Sequence, residues 1–269
     1  MRRAGVLPGD WIQEEQSLSP ILNRRHCLAG AAFGLGLGTS APAAFAGAME
    51  TRRTVFRSRG RDHVVFLMEP SGVGVLTGAA ILLLHGSGGL AGSLRDFHRE
   101  AAAWTARGCT VVIPDYFSGA PDAAQTDDTD WWAEAVRDAA AWTLELPGVD
   151  PDRLGALGYS RGGYLAAEVA VQSTAIRAVV GVASAGNVAP RDIIRRPQVL
   201  LIHADRDPVI PPARTRRWAG ILQDAGVPVT TVTMRSSQHA FDEPTWGDIF
   251  ARATEFFVEA LAPRSDTQG

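Results

Sequence analysis

The sequence contains no lysine, so all 26 of its basic residues are arginines. This absence excludes chemistry that depends on a lysine amine, such as Schiff-base catalysis or phosphate binding by a P-loop lysine. The 29 acidic residues leave a net charge of −3, and neither sign forms a long run. Because nucleic-acid binding needs a basic stripe or patch, we expect no nucleic-acid partner.

Cysteine is almost absent, with Cys27 and Cys109 as its two occurrences. We expect Cys27 to leave with an N-terminal export segment, so the mature chain would hold one thiol and no internal disulfide. Cys109 opens the apolar run CTVVIP, which predicts a buried core position rather than a reactive one.

Long hydrophobic runs are also lacking, and the N-terminal segment shows this most clearly. Residues 1–46 hold the pair Arg24 and Arg25, then a weakly apolar Gly/Ala-rich stretch, then Ala44-Phe45-Ala46. A charged start, an apolar centre and a small-x-small end are typical of a bacterial export signal, here of the twin-arginine type. We therefore predict a periplasmic or secreted protein of residues 47–269 without stable membrane insertion. The alternatives are an uncleaved anchor or a disordered tail, the latter with a cytoplasmic protein.

The remaining chain has ordinary globular composition and is long enough for one large domain. Runs rich in β-branched residues alternate with helical stretches, and the central runs are apolar on both faces. This alternation predicts a single α/β domain with a mostly parallel central sheet flanked by helices. The predicted strands cover 63–68, 79–85, 109–114, 153–158, 176–183, 198–204 and 227–234, and the predicted helices cover 93–107, 129–145, 161–173, 212–225 and 243–261.

The stretch GYSRG, residues 158–162, places Ser160 between two glycines, after an apolar strand and before an Ala-rich helix. The pattern Gly-x-Ser-x-Gly in this context is typical of a nucleophile held in a strained turn, where larger neighbours would collide. The helix N-terminus also favours negative charge at the serine oxygen. We predict that Ser160 is a catalytic nucleophile.

A serine nucleophile needs a base, and histidine is the usual one because its pKa lies near neutrality. His239 follows the last predicted strand, at the edge of the sheet where active sites of open α/β folds collect. We predict His239 as the base. The others have structural interpretations: His63 and His203 lie in strands, His98 lies in a helix, and His85 holds a loop.

The histidine in turn needs a carboxylate to fix its tautomer. Asp205 and Asp207 both follow the predicted strand 198–204, and His239 follows the next predicted strand, 227–234. We favour Asp207 as the acid and assign Asp205 to loop stability. His203, Asp205 and Asp207 alternate and could instead be metal ligands, but no further ligand cluster accompanies them, so we predict no metal site.

An oxyanion hole requires two backbone N–H groups near the nucleophile. Arg161 follows Ser160 and would supply one. The glycine-rich loop HGSGGLAG, residues 85–92, would supply the other, and we favour the N–H of Ser87, with Gly88 as the alternative.

The stretches LLLHGSGGL, VVIPDYFSG, LGALGYSRGG, HADRDPVIPP and SSQHAFD together resemble the dienelactone hydrolase branch of the α/β-hydrolase superfamily. The resemblance spans residues 60–260 and implies a small, single-domain hydrolase that acts on an ester or related acyl bond without a cofactor. Dienelactone hydrolases themselves use a cysteine nucleophile, whereas position 160 is a serine. The resemblance therefore implies a serine-nucleophile variant with a small-molecule ester or lactone as substrate.

Only residues 184–197 separate two predicted strands at the place where many α/β-hydrolases insert a helical lid. Fourteen residues are too few for such a lid, so we expect no lid domain and an open cleft. Arg161 is a candidate to contact an acidic substrate group. Five aromatic residues are candidates for the pocket wall, with a place in the core as the alternative for each: Tyr116, Phe117, Trp131, Trp132 and Phe241.

These interpretations predict a serine-dependent carboxylic ester hydrolase with the triad Ser160, Asp207 and His239. The alternatives on the same fold are a serine peptidase, a thioesterase or an acyltransferase. From a different class, a non-catalytic binding protein on a hydrolase scaffold also remains an alternative.

Overall fold

The computed structural model describes residues 51–120, 129–172 and 176–263, and for residues 94–96 it describes the backbone alone. The predicted export signal over residues 1–46 lies outside the described residues and stays a prediction. The described residues from 51 onward belong to one compact unit. The division into a signal and a single catalytic domain of residues 47–269 also stays a prediction.

An eight-stranded sheet forms the centre of the described residues. The strands are β1 Thr51–Ser58, β2 Arg61–Met68, β3 Ala80–Leu84, β4 Thr110–Pro114, β5 Leu154–Tyr159, β6 Ile176–Val182, β7 Gln198–Ala204 and β8 Val229–Met234. Their order in the sheet is β1-β2-β4-β3-β5-β6-β7-β8. The strand β2 runs antiparallel to its neighbours β1 and β4, and all the other pairs are parallel. The fold is thus α/β with a mostly parallel sheet.

Strands at the centre of the sheet are apolar on both faces because helices cover both. Every residue of β3 and β4 is buried, and β8 at the edge alternates between half-buried and exposed. Strands of parallel sheets are expected to show this continuous apolar character. The helices are α1 Leu90–Thr105, α2 Thr129–Leu144, α3 Arg161–Gln172, α4 Pro212–Asp224 and α5 Glu243–Ala260.

One strand, β1, was not predicted from the sequence. Its residues TRRTVFRS carry three arginines and few apolar side chains, since one face is exposed. The hairpin that joins it to β2 has two central residues with positive φ, Arg59 at 48° and Gly60 at 75°. This is the backbone that two-residue β-hairpins favour, but the non-glycine Arg59 hides the signal in the sequence.

The parallel strands point their carboxyl ends to one edge of the sheet, and the loops after β3, β5, β7 and β8 all lie there. The segment between β6 and β7 holds one 3-10 turn, Pro190–Asp192. No lid helix occurs in this fully described segment, as its length predicted. Within the described ranges, no helix is both long and apolar enough to cross a bilayer.

Candidate active site

Ser160 lies in the turn between β5 and α3 and has a φ of 52°, in the left-handed region that L-residues rarely adopt. Three hydrogen bonds at its backbone hold this conformation. Its N–H donates to the carbonyl of Val182 at 2.8 Å, and its carbonyl accepts from the N–H groups of Gly163 at 3.0 Å and Tyr164 at 3.1 Å. Strain that is held in this way indicates a function, because a plain connecting turn has no need of it.

The glycines around Ser160 are required by close backbone contacts. A Cβ at Gly158 would lie 2.1 Å from the carbonyl oxygen of Gly162, and one at Gly162 would lie 2.3 Å from that of Leu84. Neither neighbour is a flexible side chain, so neither could move aside. The glycines of GYSRG therefore let α3 pack onto the ends of β3 and β5.

The structure brings Ser160, Asp207 and His239 together. The Nε2 atom of His239 lies 2.9 Å from the Oγ of Ser160, and its Nδ1 atom lies 2.8 Å from Oδ2 of Asp207. Both ring nitrogens therefore have hydrogen-bond partners, and the partner of Nδ1 is a carboxylate, which favours the tautomer that leaves Nε2 able to accept a proton.

The carboxylate of Asp207 is fixed on both oxygens. Its Oδ1 atom accepts hydrogen bonds from the N–H groups of Val209 at 2.8 Å and Ile210 at 2.9 Å, while Oδ2 faces His239. The side chain is entirely buried. Asp205 instead accepts from the N–H of Ser236 at 2.9 Å and joins the loops after β7 and β8.

Tyr159 supports the loop of His239, a contact that the sequence analysis did not predict. Its hydroxyl donates to the carbonyl of His239 at 3.1 Å, and the two rings lie 5.4 Å apart. The sequence did offer a signal for this contact, because Tyr159 ends an otherwise apolar strand directly before the candidate nucleophile. Tyr159 thus helps to fix the loop that carries His239.

The loop His85–Gly89 lies against the turn of Ser160. A Cβ at Gly86 would lie 3.5 Å from the Cβ of Ser160 and 3.0 Å from the ring of Tyr159, so a side chain here would press on that ring. A backbone hydrogen bond from the N–H of Gly89 to the carbonyl of Gly86, at 3.0 Å, closes the loop, and the φ of Gly89 is 77°. The candidate donors Ser87 and Gly88 lie in the turn that this hydrogen bond closes.

His85 is wholly buried and anchors this loop. Its ring stacks on Tyr116 at 4.0 Å, its Nδ1 atom is 2.9 Å from the carbonyl of Gly86, and its Nε2 atom lies 3.5 Å from Asp115. Burial by itself would raise the pKa of Asp115, but His85 and the backbone N–H donors of Phe117 and Ser118 outweigh it and hold the pKa below its usual value. His85 therefore has the structural role predicted for it.

The aromatic candidates for the pocket wall separate into two groups. Tyr116, Trp132 and Phe241 are all buried, Tyr116 against the ring of His85, Trp132 against Phe117 and Phe241 against Trp246. The half-buried Phe117 lies edge-on to His85, 4.7 Å away, and packs on Trp132.

Trp132 and Trp131 each lie under an arginine. The guanidinium of Arg161, directly after Ser160, is 4.4 Å from the ring centre of Trp132. Through this contact Trp132, and with it Phe117, is linked to the residue that directly follows the candidate nucleophile in the chain. The guanidinium of Arg59 in the hairpin lies 4.9 Å from the ring centre of Trp131.

The other histidines lie apart from these contacts. His63 and His203 are buried inside β2 and β7, where burial lowers the pKa of both imidazoles. His98 is exposed on α1. Across the described ranges, no group of three or more histidine, cysteine or acidic side chains is arranged to hold a metal ion, and Asp205 and Asp207 have the separate partners given above.

This arrangement has the parts that acyl transfer through a serine needs. A hydroxyl lies within hydrogen-bond distance of an imidazole, the imidazole within hydrogen-bond distance of a buried carboxylate, and the serine stands at the start of α3 beside a glycine-rich loop. Ser160 is itself 4% exposed.

Solved structures with the same fold are hydrolases. A dienelactone hydrolase-like promiscuous phosphotriesterase from metagenomic libraries superposes with a TM-score of 0.66 at 17% identity, covering 80% of this chain and all of that one. A hyperthermophilic esterase from Pyrobaculum calidifontis gives 0.63 at 19% identity, covering 79% of this chain and 87% of that one. An acylaminoacyl peptidase from Pyrococcus horikoshii gives 0.64 at 16% identity, with 82% of this chain covered but only 43% of the peptidase.

No curated protein matches the sequence. The model of the dienelactone hydrolase family matches residues 64–260, which include all the loops at the carboxyl edge of the sheet. This match covers well over half of the chain. The chain is a hydrolytic enzyme and belongs to the dienelactone hydrolase family.

Proposed function

We propose that the protein is a serine hydrolase that cleaves carboxylic esters or lactones through an acyl-enzyme. The observation that carries this proposal is the continuous hydrogen-bond line from Asp207 through His239 to Ser160, with distances of 2.8 Å and 2.9 Å. A structural serine would not need a strained turn, a histidine and a buried carboxylate at the same time.

In the first half of the reaction, the Oγ atom of Ser160 attacks the substrate carbonyl while His239 takes its proton at Nε2. The carbonyl oxygen becomes an oxyanion, which accepts hydrogen bonds from the N–H groups of Arg161 and of Ser87 or Gly88. His239 then gives the proton to the leaving alcohol, and the acyl-enzyme remains. Asp207 stabilises the imidazolium that exists between these two transfers.

In the second half, a water molecule takes the place of the alcohol. His239 removes a proton from the water as its oxygen attacks the acyl carbon. The tetrahedral intermediate then collapses, His239 gives the proton to the Oγ of Ser160, and the acid is released. In a lactone the leaving alcohol stays attached to the acyl group, so the product is one hydroxy acid.

The proposal for an ester or lactone, rather than a peptide, has two supports. The family is named for a lactone hydrolase. The peptidase with the same fold is more than twice as long as the part that this chain matches, so its whole activity has no direct counterpart here. We further propose that the Arg161 and Trp132 pair borders the site of the acyl group, because Arg161 directly follows Ser160 in the chain and its guanidinium lies 4.4 Å from the ring centre of Trp132.

The test compares wild type, Ser160→Ala and a matched control, Ser71→Ala, on p-nitrophenyl esters from acetate to octanoate and on a simple lactone. Ser71 is exposed and contacts Thr105, near the opposite end of the sheet. We expect Ser160→Ala to lose at least about a thousandfold in kcat/KM, and Ser71→Ala to match wild type. A fluorophosphonate should label wild type at Ser160, as located by peptide mass spectrometry. Equal ester cleavage by wild type and Ser160→Ala would contradict the proposal, as would faster cleavage of thioesters or anilides than of every ester and lactone.

A further inference from the structure

Tyr116 makes the contact that joins the end of β4 to the loop His85–Gly89. Its hydroxyl donates to the carbonyl oxygen of His85 at 2.5 Å, and its ring lies parallel to the imidazole, with 4.0 Å between centres and 4° between planes. Both side chains are fully buried. The contact therefore fixes the backbone of His85 in position and in orientation.

The turn after β4, which carries Tyr116, is itself held by hydrogen bonds. Ser118 donates from its hydroxyl to the carbonyl of Asp115 at 2.8 Å and accepts from the N–H of Val64 in β2 at 2.8 Å. The carboxylate of Asp115 accepts from the N–H of Phe117 at 3.2 Å. The turn after β4 is thus tied to two strands, and Tyr116 extends from it as a fixed support.

His85, whose carbonyl accepts this hydrogen bond from Tyr116, lies directly before the loop residues that are the candidate oxyanion donors. The carbonyl oxygen of His85 also lies where a Cβ of Gly162 would meet it, at 2.5 Å, so it is packed against the start of α3. The next residue, Gly86, touches the Ser160 turn, and Ser87 and Gly88 follow. A rotation of the peptide after His85 would therefore move the loop N–H groups away from the point where the oxyanion forms.

We propose that Tyr116 is a positioning residue, whose hydroxyl holds the His85–Gly89 loop so that a loop N–H points at the oxyanion. This inference rests on the proposed function, since it names what supports one half of the oxyanion hole. It assigns to Tyr116 an effect on the transition state that acts through the loop. Oxyanion donors help only when they are preorganised, because reorientation during the reaction would cost the energy that they supply.

The test uses Tyr116→Phe, which keeps the ring stacked on His85 and removes one hydroxyl. Tyr164→Phe is the matched control, because it removes a hydroxyl from α3 that interacts with Glu168 rather than with the loop. Titration with a fluorophosphonate counts the working sites, so that kcat is expressed per folded site. An alkyl trifluoromethyl ketone reports on the oxyanion hole: Ser160 adds to the ketone carbon, His239 takes the proton, and the ketone oxygen carries the charge.

For Tyr116→Phe we expect kcat to fall about tenfold, as for the loss of one supporting hydrogen bond. The Ki of the ketone should rise by the same factor, while KM stays within about twofold and the pH midpoint of kcat/KM does not move. Tyr164→Phe should match wild type in all four quantities.

An unchanged kcat and Ki in Tyr116→Phe would overturn the inference and leave the proposed function intact. A rise in KM with an unchanged Ki would also overturn it, because the hydroxyl would then serve substrate binding. Equal losses in Tyr116→Phe and Tyr164→Phe would overturn it as well, since the effect would be general. A wild type that is folded, inactive on all esters and unlabelled by the fluorophosphonate would overturn the proposed function and this inference together.

Discussion

The loop after β8 and the interior of β2 each contain a histidine, and the two imidazoles differ in their hydrogen-bond partners. His239 in the loop has a hydrogen-bond partner on each ring nitrogen, one of them a buried carboxylate. His63 in β2 is fully buried, stacks on Phe56 at 5.2 Å, and has no well-formed hydrogen bond at either nitrogen. Burial lowers the pKa of His63. The partners of His239 fit it for the proposed role of base, whereas His63 is a core residue.

The largest effect that separates the two regions is expected from His239→Ala. Without an imidazole, Ser160 has no proton acceptor, and loss of the histidine from a serine triad costs on the order of a millionfold in kcat. The measurement is kcat on a p-nitrophenyl ester at pH 7.5, with circular dichroism as the check on folding. His98→Ala, a change at an exposed histidine on α1, is the control and should retain wild-type activity. Retention of more than about a hundredth of the activity by His239→Ala would contradict the role of His239.

A smaller effect is expected from Asp207→Asn. The amide can no longer favour the tautomer with a proton on Nδ1, and comparable changes lower kcat about ten-thousandfold. Asp205→Asn is a matched control two residues away, because its amide oxygen can still accept from the N–H of Ser236. We expect that variant to stay within about threefold of wild type, since its carboxylate is partly exposed and pairs weakly with Arg206. Equal losses in the two variants would mean that the loop, and not the carboxylate of Asp207, is what matters.

The sequence predicts the residues in the loops at the carboxyl edge of the sheet better than it predicts the side chains that hold these loops in place. Ser160, Asp207 and His239 follow directly from strand ends, because parallel strands bring their carboxyl ends to one edge. The alternating apolar runs likewise predict every parallel strand. Such patterns are local, so they can be read from short stretches of chain.

Contacts between distant segments have no such local pattern. The hydroxyl of Tyr116 reaches a carbonyl 31 residues away, and that of Tyr159 reaches one 80 residues away. Tyr116 was predicted as a candidate for the pocket wall because it follows a strand, but tertiary packing places it underneath the loop. The strand β1 was missed for a related reason: its pairing with β2 stabilises it more than its arginine-rich composition suggests.

The smallest effect is expected on the pH dependence of the free energy of unfolding, and it concerns the buried His63. The folded-state pKa of His63 is lower than that of the unfolded chain, so the unfolded chain binds a proton first as the pH falls through about 6.5. Stability is therefore fully present above pH 6.5 and decreases below it, by up to about 1.4 kcal/mol per pH unit for one such histidine. His63→Leu should flatten this decrease, as measured by urea unfolding at pH 7.5, 6.5 and 5.5, with His98→Ala retaining the wild-type slope.

Part of the slope should persist in His63→Leu, because burial also lowers the pKa of His203. Measurements of activity on the same variants separate the effect of His239 from that of His63. In the proposed mechanism, protonation of His239 would stop catalysis in a protein that is still folded, whereas protonation of His63 would act on folding itself. His63→Leu should therefore change the pH dependence of stability without moving the midpoint of kcat/KM. If the two curves moved together, loss of activity in acid would be unfolding, and the pH profile could not be assigned to the base beside Ser160.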